Sequence, residues 1–320
     1  MSVTKIRSRW DRSGYEGSLD FYRADTGVSI VTIAEGGLVG TSNPSGGVDY
    51  YVNNNTGVDA TGDGLSWATA WKTLAKAITA SNAKIATTGG AFAAARNRIF
   101  YIADEETADL VAYPSKCDVI GVGSDGQHPM AGILGNHVPV NVFTACRFYN
   151  IRFVTVDAGI IASLISTSSG TEFIGCKFDA DGAAHATQGI LGTAHTYLKV
   201  IGCRFQGPFS TGYIGIGAGN ASGLEIKGNE MFDSAAEGIE IAADTTSTPG
   251  GIIRDNFIQA TTVTIHDESN LFFIINNRCV TAAASAFATS IIVNLQKSAG
   301  NIVTGATVSS LHPVNANSAT

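Results

Sequence analysis

The feature that most constrains this 320-residue chain is a short motif that recurs every two dozen or so residues, from about Asp118 to Gly305. Each copy places a cysteine or, later in the chain, an asparagine inside a strand-like run. The spacings between these anchors are 30, 27, 26, 27, 21 and 24 residues. A repeat of this length indicates an architecture in which each unit stacks on the next. The anchors are Cys146, Cys176, Cys203, Asn229, Asn256, Asn277 and Asn301.

The residue pattern inside the units favours strands over helices. Each unit holds two or three short runs of alternating apolar residues, such as Gly238-Ile239-Glu240-Ile241, separated by Gly, Asn, Asp or Ser. The runs are too short for an amphipathic helix of ten residues. A unit of this length must form one turn of a coil that stacks on the next turn. Each strand then pairs in parallel with the equivalent strand of the next unit, about 4.8 Å away. We therefore predict an all-β chain folded as a right-handed parallel β-helix, which is a solenoid.

Stacking of equivalent residues from successive units would explain why the same residue type recurs at the anchor positions. The cysteines are expected to form an internal column of buried, reduced thiols. The asparagines should continue this column as a ladder at a bend, where side-chain amides bond to one another and to the backbone. The phenylalanines two residues after the cysteines should stack in the same way; these are Phe148, Phe178 and Phe205.

The chain divides into three parts by pattern. Residues 1–47 carry one strand-like run, Val28 to Ile33, followed by a Gly-rich linker, which indicates an N-terminal attachment segment. Residues 48–305 form the predicted β-helix, and residues 306–320 form a C-terminal tail. With five widely spread cysteines and no Cys-x-x-Cys pair, neither a disulfide framework nor a zinc site is expected, and no cofactor is predicted.

Charge and hydropathy exclude several classes of function. The net charge of −7 argues against a nucleic-acid-binding protein. No segment approaches the roughly 20 apolar residues of a membrane span. The basic N-terminus lacks an apolar region behind it, so we expect synthesis in the cytoplasm without a signal peptide. That basic cluster favours a solvated terminus; the alternative is an arm that docks on an acidic partner through Lys5, Arg7, Arg9 and Arg12.

A helix is predicted near the start of the β-helix. Ser66 can cap it, and Trp67, Trp71, Leu74 and Ile78 share one of its faces. Together with the turns before it, this pattern resembles the opening of pectate-lyase-like β-helix proteins, and with the repeats the resemblance covers residues 48–305. It implies that the helix caps the open end of the β-helix. The matching residues are Tyr51-Val52, Thr56-Gly57-Val58-Asp59, Gly62-Asp63-Gly64-Leu65-Ser66-Trp67 and Trp71 to Ile78.

The resemblance specifies a fold and leaves the function open. Members of this class include pectin-processing enzymes, phage tailspikes and non-enzymatic surface proteins. The Asp-Asp, Gly-His-Gly and Arg-x-Lys motifs of the polygalacturonase-like pattern are missing from this sequence. If the chain were an enzyme, outward carboxylates 5–9 Å apart could cleave a glycoside. The candidates are Glu225, Asp233, Glu237 and Glu240, with Asp244 nearby, although such acids also serve simply to keep a β-helix soluble.

Two other polar motifs contain residue types that bind metals or transfer protons. His266-Asp267-Glu268 could bind a metal or transfer protons, but without partners it is better interpreted as a solvated turn. The Asp59 to Asp63 turn could hold calcium, yet it lacks the spacing of an EF-hand loop, so we interpret it as a turn. No metal site is therefore predicted.

These patterns lead to one leading hypothesis and two alternatives. The leading one is a structural protein of a tailed-phage virion, displayed on the particle surface as a decoration or spike protein and attached to capsid or tail proteins, with contact to a host polysaccharide left open. The alternatives are a carbohydrate-active β-helix enzyme, namely a tailspike depolymerase or polysaccharide lyase, and a cellular adhesin. A homotrimer is also expected, because charge is sparse at Ala283 to Ala288 and at Ile160 to Gly170.

Overall fold

The computed structural model describes most of the chain. The described residues are 4–10, 17–23, 29–34, 37–41, 47–88, 95–123, 131–164, 168–181, 185–217, 219, 222–233, 235–242, 251–269, 272–281, 287–288 and 298–304, with backbone only at 4–41, 87–88, 287–288, 298 and 303–304. Arg12, Asp244 and the tail 306–320 therefore lie outside the described residues, as do residues 165–167 and 283–286 of the two charge-poor stretches.

The described part of the N-terminal segment contains four strands where the sequence predicted one. They are β1 (Thr4–Trp10), β2 (Gly17–Arg23), β3 (Ser29–Ala34) and β4 (Gly37–Thr41), and they form an antiparallel sheet in sequential order. Only β3 was predicted. In β1 every second residue from Lys5 to Arg9 is basic, which removes the apolar signal on which a sequence-based prediction depends.

The remaining strands form three parallel sheets, and their bounds follow. Sheet I contains β5 (Asp49–Asn53), β6 (Asn97–Ile102), β8 (Cys117–Gly121), β10 (Cys146–Tyr149), β13 (Glu172–Ile174), β16 (Lys199–Ile201), β19 (Leu224–Lys227), β22 (Gly251–Arg254), β25 (Phe272–Ile275) and β28 (Ser298–Ala299). Sheet II contains β7 (Glu106–Thr107), β9 (Ala131–Leu134), β11 (Ile151–Thr155), β14 (Lys177–Ala180), β17 (Arg204–Gln206), β20 (Glu230–Met231), β23 (Phe257–Ala260), β26 (Arg278–Thr281) and β29 (Ile302–Thr304). Sheet III contains β12 (Ile160–Leu164), β15 (Ala186–Thr193), β18 (Phe209–Gly217), β21 (Glu237–Ile241), β24 (Val263–Asp267) and β27 (Phe287–Ala288).

The order of the strands reproduces the repeat found in the sequence. From β10 onwards, consecutive strands enter sheets I, II and III in turn, and each strand pairs in parallel with the strand three places further along the chain. Side chains that point between the sheets form one buried apolar cluster. The all-β prediction is confirmed, and three stacked parallel sheets are consistent with a parallel β-helix.

The helix begins later than predicted. Ser66 caps a single 3-10 turn, Trp67–Thr69, and the α-helix α1 spans Leu74–Thr88. Trp67 and Trp71 are therefore not on an α-helical face. Glu106 of β7 explains the position of the helix start, because its buried carboxylate accepts a hydrogen bond from the Leu74 backbone nitrogen at 3.1 Å. Burial raises the pKa of Glu106.

A left-handed residue precedes each anchor at the bend between sheets I and II. Gly175 (φ +61°), Gly202 (φ +59°) and Gly228 (φ +63°) occupy this place in three successive repeats, and Asp255 and Asn276 take it in the next two. Glycine, asparagine and aspartate tolerate this conformation best. The bend therefore follows from the residue before each anchor as much as from the anchor itself.

The predicted asparagine ladder is confirmed, and it continues to Asn301. The side-chain oxygens of Asn256, Asn277 and Asn301 each accept hydrogen bonds from the backbone nitrogen and Nδ2 of the preceding asparagine, at 2.9–3.1 Å. Each Nδ2 also donates to a strand carbonyl, as Asn229 does to Val200 at 2.9 Å. Buried amides with every donor satisfied stabilise the bend.

The predicted cysteine column is correct only in part. All five cysteines are buried and free, and Cys176 and Cys203 occupy the anchor position of successive repeats. Cys146 instead pairs with Cys117 in sheet I, while Ile151 holds the anchor position. The bend before sheet I and the bend between sheets I and II each place a left-handed residue before a buried one. These residues are Ala145 (φ +52°) before Cys146 and Asn150 (φ +53°) before Ile151. The Cys-Arg/Lys-Phe tripeptide can therefore follow either bend.

The phenylalanine stack shows the same error of register. Phe178 stacks on Phe205 with ring centroids 4.7 Å apart, as predicted, and on Phe153 at 5.3 Å. Phe148 lies in sheet I, where it stacks on Phe173 at 5.4 Å. Two aromatic columns, one on each sheet, therefore meet edge to face inside the core.

Candidate functional site

Sheet III brings together polar groups that are distant in the sequence. In β21, Ile239 and Ile241 point into the core and Glu240 points outward, because side chains alternate along a strand. In β24, His266 points outward in the same way, and its Cα pairs directly with that of Glu240. We call Glu237, Glu240, His266 and Glu268 the acidic–histidine cluster.

The imidazole of His266 lies between two carboxylates of this cluster. Its Nδ1 is 3.3 Å from both carboxylate oxygens of Glu237, and its Nε2 is 3.4 Å from Glu268 Oε1. The side chains of His266 and Glu237 are each 24% exposed, so the contact is shielded but open to solvent. A histidine held from both sides has its ring orientation fixed.

The surroundings of Glu240 raise the pKa of its carboxyl group. Burial raises the pKa of Glu240, the Glu237 carboxylate raises it further, and His266 partly offsets the rise. A carboxyl group whose pKa is raised is suited to donate a proton as a general acid. Chemically, the cluster could donate a proton from Glu240, with the side chains of Glu237 and His266 beside it.

The interpretation of His266-Asp267-Glu268 as a solvated turn is wrong. His266 and Asp267 end strand β24, and Asp267 is buried and accepts hydrogen bonds from the backbone nitrogen and hydroxyl of Ser269 at 3.0 and 2.6 Å. Parallel pairing with β21 draws this segment into the sheet. One signal was available, since Glu240 and His266 are 26 residues apart, which is one of the repeat spacings.

The other two predicted carboxylates lie elsewhere. Glu225 is in strand β19 of sheet I, where Arg254 Nη2 is 3.2 Å from its carboxylate. Asp233 occupies an exposed turn after β20 with φ +78°, and its carboxylate accepts a hydrogen bond from the Gly207 nitrogen at 2.9 Å. The structure thus brings Glu237 and Glu240 together but gives Glu225 an ion-pair partner and Asp233 a role in a turn.

Glu225 belongs to a column of alternating charge that the sequence analysis missed. Outward positions of successive sheet I strands carry Asp49, Arg98, Asp118, Arg147, Glu172, Lys199 and Glu225, each paired in register with the next. Two of its close contacts join Arg98 to Asp49 at 2.6 Å and Arg147 to Glu172 at 3.3 Å. Opposite charges that face each other across strands stabilise a sheet by a few tenths of a kcal/mol to about 1 kcal/mol each.

The remaining candidate residues have structural surroundings or fall outside the description. Asp59 accepts hydrogen bonds from the Lys72 nitrogen and the Thr73 hydroxyl at 2.8 and 2.7 Å, as a turn requires. Within the described residues, no group of three His, Cys, Asp or Glu side chains is placed to hold a metal ion. Lys5, Arg7 and Arg9 lie in β1, of which only the backbone is described.

Comparisons with other proteins returned no match: no protein-family model, no curated protein and no solved structure matches this chain. Among the helices in the described part of the chain, none is both long and apolar enough to cross a membrane.

Proposed function

We propose that this chain is a right-handed parallel β-helix that serves as a structural protein on the surface of a tailed-phage virion, displayed as a decoration or spike. The observation that carries the proposal is the continuous pairing of sheet I through ten strands, from β5 to β28. A stack in which every repeat is bonded to its neighbours, with a closed asparagine ladder, resists local opening. A surface protein that projects from a particle needs such stiffness.

Attachment is assigned to residues 1–47. Their antiparallel sheet differs in topology from the parallel sheets that follow, which suits a segment with a separate task. We propose that it binds a capsid or tail protein through Lys5, Arg7, Arg9 and Arg12, and that the chain is a homotrimer presenting three such segments together. Three weak contacts made at once gain avidity from their high effective concentration. Helix α1 is proposed to cap the first repeat.

Purified particles test this proposal. Particles from a lysate of the source culture would be banded in a density gradient, and the chain detected by mass spectrometry and immunogold labelling. We expect it to co-migrate with capsid and tail proteins and to label the particle exterior. Recombinant protein lacking residues 1–47 should fail to bind particles that the full chain binds. Detection only in the soluble fraction would refute the proposal.

The acidic–histidine cluster favours a second candidate, a carbohydrate-active enzyme. The grouping of Glu237, Glu240 and His266 on the outer face of sheet III is the observation behind it. Incubation with capsule or lipopolysaccharide should then release reducing ends, or unsaturated ends for a lyase. Glu240→Gln should abolish the release, while Glu225→Gln, which removes an acid paired with Arg254 on sheet I, should leave it unchanged. Equal release by both variants would exclude the cluster as the active site.

A further inference from the structure

Two arginines on the outer face of sheet II lack the acidic partners that two basic residues earlier in the same sheet have. In sheet II, Arg152 and Lys177 both contact Asp179, at 3.0 and 2.7 Å. Within the described part of the chain, neither Arg204 in β17 nor Arg278 in β26 forms an ion pair, and Arg204 Nε is buried without a hydrogen-bond partner. Guanidinium groups left without acceptors on a protein surface can bind an external anion.

Both guanidinium groups lie over aromatic rings. The Arg204 Cζ is 5.2 Å from the centre of the Phe232 ring, and the Arg278 Cζ is 5.4 Å from that of Phe257. The two rings contact each other, with centroids 5.2 Å apart and planes tilted by 39°. The four side chains form a continuous surface, which we call the arginine–phenylalanine stripe. Cation–π contacts hold each guanidinium, and because Arg204 Nε is buried, its terminal N–H groups are the ones that can donate to an external ligand.

We propose that the arginine–phenylalanine stripe binds a carboxylated glycan. A guanidinium group matches a carboxylate with two parallel hydrogen bonds, and the flat phenylalanine rings suit the C–H faces of a sugar ring. Arg204 and Arg278 are three strands apart, or about 14 Å at the usual strand spacing. Two carboxylates bound by the stripe would therefore lie that far apart, with the two phenylalanine rings and Glu230 between them.

The spacing of charge favours a glycan over a nucleic acid. Glu230 pairs in register with both Arg204 and Phe257, so an exposed carboxylate lies in the middle of the stripe. A nucleic acid carries a phosphate at every nucleotide and would place one against Glu230, whereas a glycan can place a neutral sugar there. The net charge of −7 further disfavours a dense polyanion. This inference deepens the proposed display function, since it names what the displayed surface contacts.

Calorimetric titration of the full chain tests the stripe. The probes are hexasaccharides in which glucuronate alternates with a neutral amino sugar, namely those of hyaluronan, unsulfated chondroitin and heparosan, with maltohexaose as the neutral counterpart and a twelve-nucleotide oligothymidylate as the nucleic acid. We expect at least one acidic hexamer to bind and the other two classes not to bind. Arg204→Gln and Arg278→Gln should each weaken that binding about tenfold, and Phe257→Ala should weaken it as well.

Two further variants separate binding at the stripe from a general charge effect. Lys227→Gln removes a basic residue from sheet I and should leave affinity unchanged, while Glu230→Gln removes the repelling carboxylate and should strengthen binding. Unchanged melting temperatures would show that the variants fold. The proposal is overturned if no acidic hexamer binds, if maltohexaose or oligothymidylate binds as well, or if neither arginine variant weakens binding. Particle association is measured separately, so a virion protein without glycan affinity would refute the stripe alone.

Discussion

The side-chain oxygen of Asn277 accepts two hydrogen bonds from Asn256, one from its backbone nitrogen at 3.1 Å and one from its Nδ2 at 2.9 Å. Asn256 receives the same pair of bonds from Asn229, and its Nδ2 donates a further bond to the Ile226 carbonyl at 3.0 Å. Each asparagine thus satisfies its own polar groups and the backbone of the neighbouring bend, which couples one repeat to the next.

Replacing Asn256 by alanine should therefore be costly. Asn256→Ala leaves two donors of Asn229 without an acceptor and the Ile226 carbonyl without its amide partner, all of them buried. We expect the free energy of unfolding to fall by about 3 kcal/mol, measured by denaturant titration. Gln259→Ala, on the exposed face of the next strand, is the control and should change it by less than about 0.5 kcal/mol. Equal effects of the two changes would contradict a stabilising ladder.

Phe178 is the central ring of the sheet II aromatic column. It stacks between Phe153 and Phe205, and neighbouring repeats that are bonded on both sides cannot close the cavity left by its loss. Phe178→Ala should lower the free energy of unfolding by about 3–5 kcal/mol. Phe273→Ala, at a position 48% exposed, serves as the matched control and should cost far less. A loss below about 1 kcal/mol for Phe178→Ala would contradict this assignment.

The thiols of Cys146, Cys176 and Cys203 should react slowly in the native protein. All three side chains are buried, and burial raises the pKa of Cys146 and of Cys203, so little thiolate forms at neutral pH. Labelling with a maleimide, followed by intact mass, should become rapid only in denaturant. An added thiol in the exposed turn, from Thr262→Cys, should label at once and serves as the positive control. Rapid native labelling of the three buried thiols would be inconsistent with their burial.

His137 should make the stability of the fold depend on pH. Its side chain is fully buried, its Nδ1 accepts a hydrogen bond from the Leu110 nitrogen at 3.1 Å, and burial lowers its pKa to about 4, against a smaller opposing effect of Asp109. Between pH 6.5 and 4 the unfolded chain binds a proton that the folded chain does not. The stability contributed by neutral His137 is therefore complete above pH 6.5 and is lost as the pH falls towards 4, by about 3 kcal/mol.

Denaturant titrations across that pH range check this prediction. His137→Asn keeps an acceptor near Leu110 but does not titrate, so its unfolding free energy should fall less steeply between pH 6.5 and 4 than that of the unchanged chain. Gln259→Ala removes an exposed side chain that does not titrate and should leave the slope as it was. Identical slopes for all three proteins would show that His137 is not the group responsible.

A trimer in solution is expected to have three times the monomer mass of 33.1 kDa by light scattering at micromolar concentration. Removing residues 1–47 distinguishes two sources of the contact. A trimer that persists would place the contact on the parallel sheets, and a monomer would assign it to the N-terminal segment. A full chain with the monomer mass would rule out the trimer under these conditions.

The asparagine ladder could be predicted because it depends only on local sequence and on the repeat. A residue that recurs once per repeat, after a glycine, asparagine or aspartate able to adopt a left-handed conformation, must lie one strand spacing from its counterpart. Stacked amides then follow from the chemistry of asparagine. Neither the pairing partner across the sheet nor the overall length of the stack enters that prediction.

The sequence by itself determined the repeat period, the parallel strands and the asparagine column. The tertiary structure decided which sheet each strand joins and which side chains lie beside one another on neighbouring strands. Repeat spacings vary from 21 to 30 residues, so alignment on one motif assigned Phe148 to the wrong sheet. The contacts of His266 with Glu237 and of Arg204 with Phe232 likewise depend on how strands register after turns of unequal length. Register is set by hydrogen bonding and burial summed along whole strands, and a shift of one residue would move each side chain to the opposite face.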